Sequence, residues 1–197
     1  MTDRNTLRIT ESAILLSAGI VLSLPFMTLN SPWLMGGSVT FGSMLPMVLI
    51  AWRHKTRWGL FSALVYSLTQ IVLGLNNVMY APDFMTAVWI ILLDYVLAFG
   101  VIGLSYAIGS RVSKGLPGIL VGIVVTFALR YLCHVVSGAL IWQVLWLNSD
   151  GYTPWMYSLL YNGSYMLPET LIAMAIAAVS YKPLQRFWEG RDLARAA

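Results

Sequence analysis

Apolar residues run along this chain in stretches too long for the buried face of an ordinary helix. They fall at Ser12–Leu29, Thr40–Trp52, Trp58–Leu75, Phe84–Gly109, Leu116–Leu147 and Met156–Tyr181. A helix crossing the hydrocarbon core needs about 20 mostly apolar residues. The second stretch is short and begins within the preceding loop or tilts little; the fifth is long enough to tilt or to extend past the bilayer. The pattern predicts an all-α polytopic membrane protein with six transmembrane helices in a single domain, residues 1–197. The first stretch has no small-x-small cleavage site, so it reads as a span and not as a removable leader. Composition agrees: 58% of the residues are hydrophobic and 10% charged, against about 25% charged in a soluble domain. The mean hydropathy is +0.74. A soluble enzyme, a disordered tail and a nucleic-acid-binding domain are excluded. The single cysteine, Cys133, excludes an intramolecular disulfide and a multi-cysteine metal site.

Charge sets the orientation. Arg4 and Arg8 precede span one; Arg53, Lys55 and Arg57 separate spans two and three; Arg111 and Lys114 separate four and five; Lys182, Arg186, Arg191 and Arg195 follow span six. With an even number of spans all of these lie on one side, and the other side carries Asp83 and Asp150 without Lys or Arg. The positive-inside rule then places both termini in the cytoplasm.

Four ionisable residues fall inside the spans: Asp94 in the fourth, Arg130 and His134 in the fifth, Glu169 in the sixth. Each is costly in hydrocarbon, by roughly 2.5–3.5 kcal/mol for Arg or Asp, and must pair, face the bundle interior or line a wet cavity. Arg130 and Glu169 lie at similar depth and can pair. Asp94 then lacks a cationic protein partner, and with His134 neutral the group sums to −1. Such a site suits a ligand of charge +1. The other reading has Asp94 protonated or hydrogen-bonded to Tyr or Asn. In span five Arg130, His134, Gly138 and Trp142 recur every four residues on one face. Gly138 either leaves a slot for a flat ring between His134 and Trp142 or serves close helix packing. Trp33 beside Gly36 and Gly37 resembles a hinged flap with an aromatic tip. Tyr152 and Trp155 read as interfacial belt residues. Asn162 needs partners if buried. A phosphate-binding loop, a metal-ligand cluster, a nucleophile turn and a voltage-sensor span are all missing from the pattern, so the chain reads as a capture subunit without an engine and not as an enzyme.

These residues resemble the thiamine-specific substrate-binding subunit (S component) of energy-coupling factor transporters. The matching stretches are Ser31-Pro-Trp-Leu-Met-Gly-Gly-Ser38, Leu93-Asp-Tyr-Val-Leu-Ala-Phe99, Arg130-Tyr-Leu-Cys-His-Val-Val-Ser-Gly138 with Trp142, and Tyr157-Ser-Leu-Leu-Tyr-Asn-Gly-Ser164. The resemblance implies thiamine uptake across a prokaryotic cell membrane, without a cofactor. It implies a substrate site of Trp33, Asp94, Tyr95, His134, Gly138, Trp142, Tyr157 and Asn162. It also implies a complex with one transmembrane coupling protein and two cytoplasmic ATPase subunits, docked through the small residues Ala13 and Ser17 of span one unless these pack against the chain's own helices. The family carboxylate in span four is Glu, and here it is Asp94, one methylene shorter. The loop with Asn76, Asn77 and Tyr80 is longer than in the family. Both departures keep open a thiamine precursor, or another small cationic or heteroaromatic vitamin, taken up by an S component or a stand-alone transporter.

Overall fold

The computed structural model describes residues 2–30 and 37–195. The main elements are α1 (Thr2–Ser23), α2 (Leu45–Leu73), the short α3 (Leu75–Met79), α4 (Phe84–Val112), α5 (Gly115–Leu145), α6 (Pro154–Tyr181) and the short α7 (Gln185–Trp188). Among the described residues, α6 and stretches Asn5–Ser23, Phe84–Val112 and Gly115–Leu145 are long and apolar enough to cross a membrane.

The second and third predicted spans are the two arms of α2. Lys55 interrupts it with φ 72°, ψ 169°. The chain folds back there. A Cβ built on Gly59 would lie 2.6 Å from the Cβ of Ala51, whereas eight residues of straight helix span about 12 Å. Ser43 and Tyr66, at similar distances before and after Lys55, both close on Gly19 of α1. The side chains of Met47, Val48, Ile50 and Tyr66 from this hairpin meet Ile90, Ile102, Ile119 and Phe127 from α4 and α5 in the core.

Helix α1 stops at Ser23, short of the expected Leu29. Pro25 forces the preceding Leu24 into extended backbone (φ −70°, ψ 148°). The chain then forms β1 (Thr28–Asn30), paired antiparallel with β2 (Ser38–Thr40) in the register Thr28↔Thr40, Leu29↔Val39, Asn30↔Ser38. Two helix starts carry readable caps. Asp83 accepts from the Thr86 amide at 2.9 Å at the head of α4. Thr153, followed by Pro154, accepts from the Met156 amide at 3.3 Å at the head of α6.

A charge cluster ties the hairpin turn to both ends of the chain. Arg53 is 3% exposed. Its guanidinium donates to Glu11 Oε1 and Oε2 at 2.6 and 2.7 Å, to Asp192 Oδ1 and Oδ2 at 2.7 and 2.8 Å, and to the Phe187 carbonyl at 2.9 Å. His54 Nε2 meets Glu11 at 3.0 Å. Burial alone would lower the pKa of Arg53, but the bonds to Glu11 and Asp192 outweigh it and hold the pKa above its ordinary value. Burial also pushes His54 below its ordinary value, against the pull of Glu11. The Arg53 bond holds Asp192 below the usual carboxylate range. That depressed pKa contributes stability above the ordinary Asp value of about 4, and the contribution is lost as pH falls through the folded value. Arg53→Ala is expected to cost about 2–3 kcal/mol, because it strands the largely buried Glu11 carboxylate and frees the half-exposed Asp192. Thermal unfolding in detergent at pH 7 measures this, and the difference from the parent should shrink below about pH 4 as Asp192 is protonated.

Candidate functional site

Two helices depart from α-geometry where they line the bundle's central cavity. Residues Ile91–Leu97 of α4 and Gly138–Trp142 of α5 form π-helical turns. Such turns redirect side chains and recur at functional sites. The first carries Asp94 and Tyr95, the second Gly138 and Trp142. The cavity between them measures about 500 Å³, within the range of small-molecule sites.

Asp94 is the polar centre of one wall. Its Oδ2 accepts from Ser137 Oγ at 2.8 Å and Trp142 Nε1 at 2.9 Å, and its Oδ1 lies 3.2 Å from His134 Nδ1. His134 Nδ1 faces the carboxylate, and its Nε2 is shielded from solvent without a hydrogen-bond partner. All three contacts come from α5, and neither Tyr nor Asn contributes. Below them Arg130 donates to Glu169 at 2.9 Å. Glu169 also accepts from Thr40 of β2, so the pair anchors the strand hairpin as well as joining α5 to α6. With Glu169 answered by Arg130, Asp94 is the remaining formal charge among the side chains lining the cavity.

Aromatic rings form the other walls. Trp142 and Trp146 stack at 5.6 Å and 11°. Tyr157 and Tyr161 stack at 6.0 Å and 6°, and Tyr165 meets Tyr161 edge-on at 5.6 Å. Asn162 donates to the Ser158 carbonyl at 2.9 Å and Ser158 Oγ at 3.1 Å, and its Oδ1 accepts from Tyr165 at 2.6 Å. Tyr95 turns to the far side: its hydroxyl donates to the Gly74 carbonyl at 3.1 Å and lies 3.4 Å from the Asn77 amide.

Of the residues expected to form the site, Asp94, Tyr95, His134, Gly138, Trp142, Tyr157 and Asn162 all line this one cavity. Trp33 and Gly36 lie outside the described residues. The loop that carries them leaves from β1 and β2, and Ser38 and Thr40 of β2 line the cavity. Gly37 passes directly over the tyrosines; a Cβ there would sit 2.5 Å from the Tyr165 ring. The expected slot at Gly138 is filled: a Cβ would lie 2.2 Å from Ser158 Oγ. Glycine there lets α6 approach α5 closely. Ser137, Trp146, Ser158, Tyr161 and Tyr165 were not singled out by the sequence reading. The fourfold spacing of Tyr157, Tyr161 and Tyr165 was the available signal for the tyrosines. Ala13 and Ser17 are exposed on α1. Among the described residues no group of three or more His, Cys, Asp or Glu could hold a metal ion.

Three similarities bear on this site. A family described as thiamine transporter protein matches residues 9–188. The thiamine transporter ThiT of Bacillus subtilis (strain 168) is 30% identical over 194 residues, covering 93% of this chain and 95% of that protein. A solved structure of ThiT from Listeria monocytogenes shares the fold with a TM-score of 0.72 at 23% identity, over 93% of this chain and 98% of that one.

The close approach at Gly138 makes a definite demand. Gly138→Ala should push Ser158 out of place and release Asn162, at a cost of about 1–3 kcal/mol. Thermal unfolding of the variant checks this, and Gly138→Ala combined with Ser158→Ala should recover most of the loss.

Proposed function

The chain belongs to the thiamine transporter protein family, and from that membership we propose that its central cavity captures thiamine for uptake. It is a helical membrane protein, and its transport role follows from the family. In the proposed topology six helical segments cross a prokaryotic cell membrane, counting the arms of α2 separately, with both termini in the cytoplasm.

The observation that carries the ligand assignment is Asp94. Ser137, Trp142 and His134 hold its carboxylate, and among the described residues no Lys or Arg pairs with it. Thiamine brings a permanent thiazolium charge to that position. Rings facing a cation add about 0.5–2 kcal/mol each, and Trp142, Tyr157 and Tyr161 offer their faces. The aminopyrimidine supplies an amino donor and ring-nitrogen acceptors. Tyr157 and the second lone pair of Asn162 Oδ1 provide polar contacts, and His134 supports the Asp94 carboxylate from behind. Tyr95 shapes the wall from the α2–α3 corner, and Gly138 sets the spacing of α5 and α6. Trp33 closes the entrance from the loop between β1 and β2. The engine is supplied in trans: one transmembrane coupling protein and two cytoplasmic ATPases, docked on the α1 face of Ala13 and Ser17. Their small side chains allow a partner helix to approach closely.

Asp94→Asn should weaken thiamine binding about tenfold or more, and weaken binding of an uncharged deaza analogue distinctly less, because the lost interaction is with the ligand's charge. Calorimetric titration of both ligands measures the difference, and equal losses would remove Asp94 as the charge partner. For docking, Ala13→Trp with Ser17→Trp should leave thiamine binding to the isolated protein intact and abolish ATP-driven uptake in vesicles holding the coupling module. Persistent uptake would place the docking face elsewhere.

A further inference from the structure

On the face that carries the hairpin turn, away from the thiamine cavity, Arg8 of α1 and the residues from His54 to Trp58 of α2 surround a second, open pocket. Its lining contains three permanent cations, Arg8, Lys55 and Arg57, and no acid. The nearest carboxylate described beside it, Glu11, is committed to Arg53 and His54. The Arg8 Cζ sits 4.0 Å from the centre of the Trp58 ring, one Nη donates to Asn5 Oδ1 at 3.2 Å, and its Nε is shielded without a hydrogen-bond partner. Lys55 spends one donor on the Tyr106 hydroxyl at 3.1 Å and keeps two. Arg57 is exposed. The pocket is thus a concentration of positive charge that no acid in its described lining neutralises.

What adjoins the pocket limits what can occupy it. The Trp58 indole is fixed by a 2.7 Å bond to Ser12 Oγ and packs against Phe61 at 5.2 Å. From Phe61 an exposed apolar stripe continues along the same face of α2 through Leu64, Val65, Leu68 and Val72. These residues recur at helical spacing and run away from the charges into the bilayer. A soluble phosphate would use the cations and ignore the stripe. A phospholipid uses both, with the head-group phosphate among Arg8, Lys55 and Arg57, the ester region at the Trp58 indole, and an acyl chain along the stripe.

We propose that this pocket binds the head group of an anionic phospholipid of the leaflet on the basic side of the protein. That this leaflet is the cytoplasmic one rests on the topology proposed above. A lipid seated here would bridge α1 to the second arm of α2 at the turn where the chain reverses at Lys55.

Native mass spectrometry of the whole chain in detergent, titrated with phosphatidylglycerol or phosphatidylcholine, tests this without reference to orientation. Phosphatidylglycerol should bind the more tightly. Arg8→Gln with Arg57→Gln should weaken that preference by about fivefold per cation lost. Arg57→Gln alone, at an exposed position, should give the intermediate value and guards against a folding defect in the double variant. Arg111→Gln with Lys114→Gln, in another basic loop, should leave the preference unchanged. Inorganic phosphate at equal concentration should not displace the lipid. No preference for phosphatidylglycerol, an unchanged preference in the Arg8 and Arg57 variants, an equal loss in the Arg111 and Lys114 variant, or displacement by phosphate alone would each overturn the proposal. Thiamine binding is read in the same samples by tryptophan quenching. Its absence in the parent would contradict the uptake reading and leave the lipid result standing.

Discussion

A carboxylate held inside a helical bundle by neutral donors is the constraint around which this molecule is arranged. Asp94 stands on α4, and among the described residues its hydrogen-bond partners all stand on α5. A buried carboxylate without donors is expensive, so the two helices must meet in one register. That register requires Ser137, His134 and Trp142 to face one point, although an α-helix would spread positions 134, 137 and 142 over a wider arc. The π-turns at Ile91–Leu97 and Gly138–Trp142 accompany that convergence. Asp94, His134 and the aromatic rings of Trp142, Tyr157 and Tyr161 then line one cavity.

A second polar node ties α5 and α6 to the strand hairpin. Arg130 and Glu169 join α5 to α6, and Thr40 adds the strand hairpin to the same carboxylate. Removing one member leaves a charge buried without its partner, which is costlier than never having had the pair. The base of the loop that carries Trp33 is therefore fixed to the cavity floor. Gly37 lets its backbone pass over Tyr165 where a side chain would collide.

Much of this was legible in the sequence, because a bilayer imposes strong patterns. The long apolar runs marked α4, α5 and α6 closely, and the depth of Arg130 and Glu169 was enough to pair them. The expected site residues, apart from Trp33, converge on one cavity because helical spacing places 130, 134, 138 and 142 on a single face. Other features left no periodic trace. The early end of α1 and the strand pair depend on Pro25 and on long-range pairing. The π-turns arise from tertiary demand and not from local preference. Ser137 was invisible because a serine in a membrane helix more often bonds to its own backbone. Arg53 reads as one more loop cation, yet its partners Glu11 and Asp192 lie far away in sequence, and only folding brings them together. Gly138 could be read as a slot or as a packing contact, and the Ser158 hydroxyl that crowds it stands on another helix, beyond the reach of sequence spacing.

The central claim is that the cavity's unneutralised charge and aromatic walls select a cationic ring system. Calorimetric titration of the detergent-extracted protein with thiamine and, separately, with hydroxymethylpyrimidine tests it most directly. The account predicts one thiamine per chain, bound far more tightly than the uncharged pyrimidine half. Equal or tighter binding of hydroxymethylpyrimidine would contradict it, since the thiazolium charge would then contribute nothing.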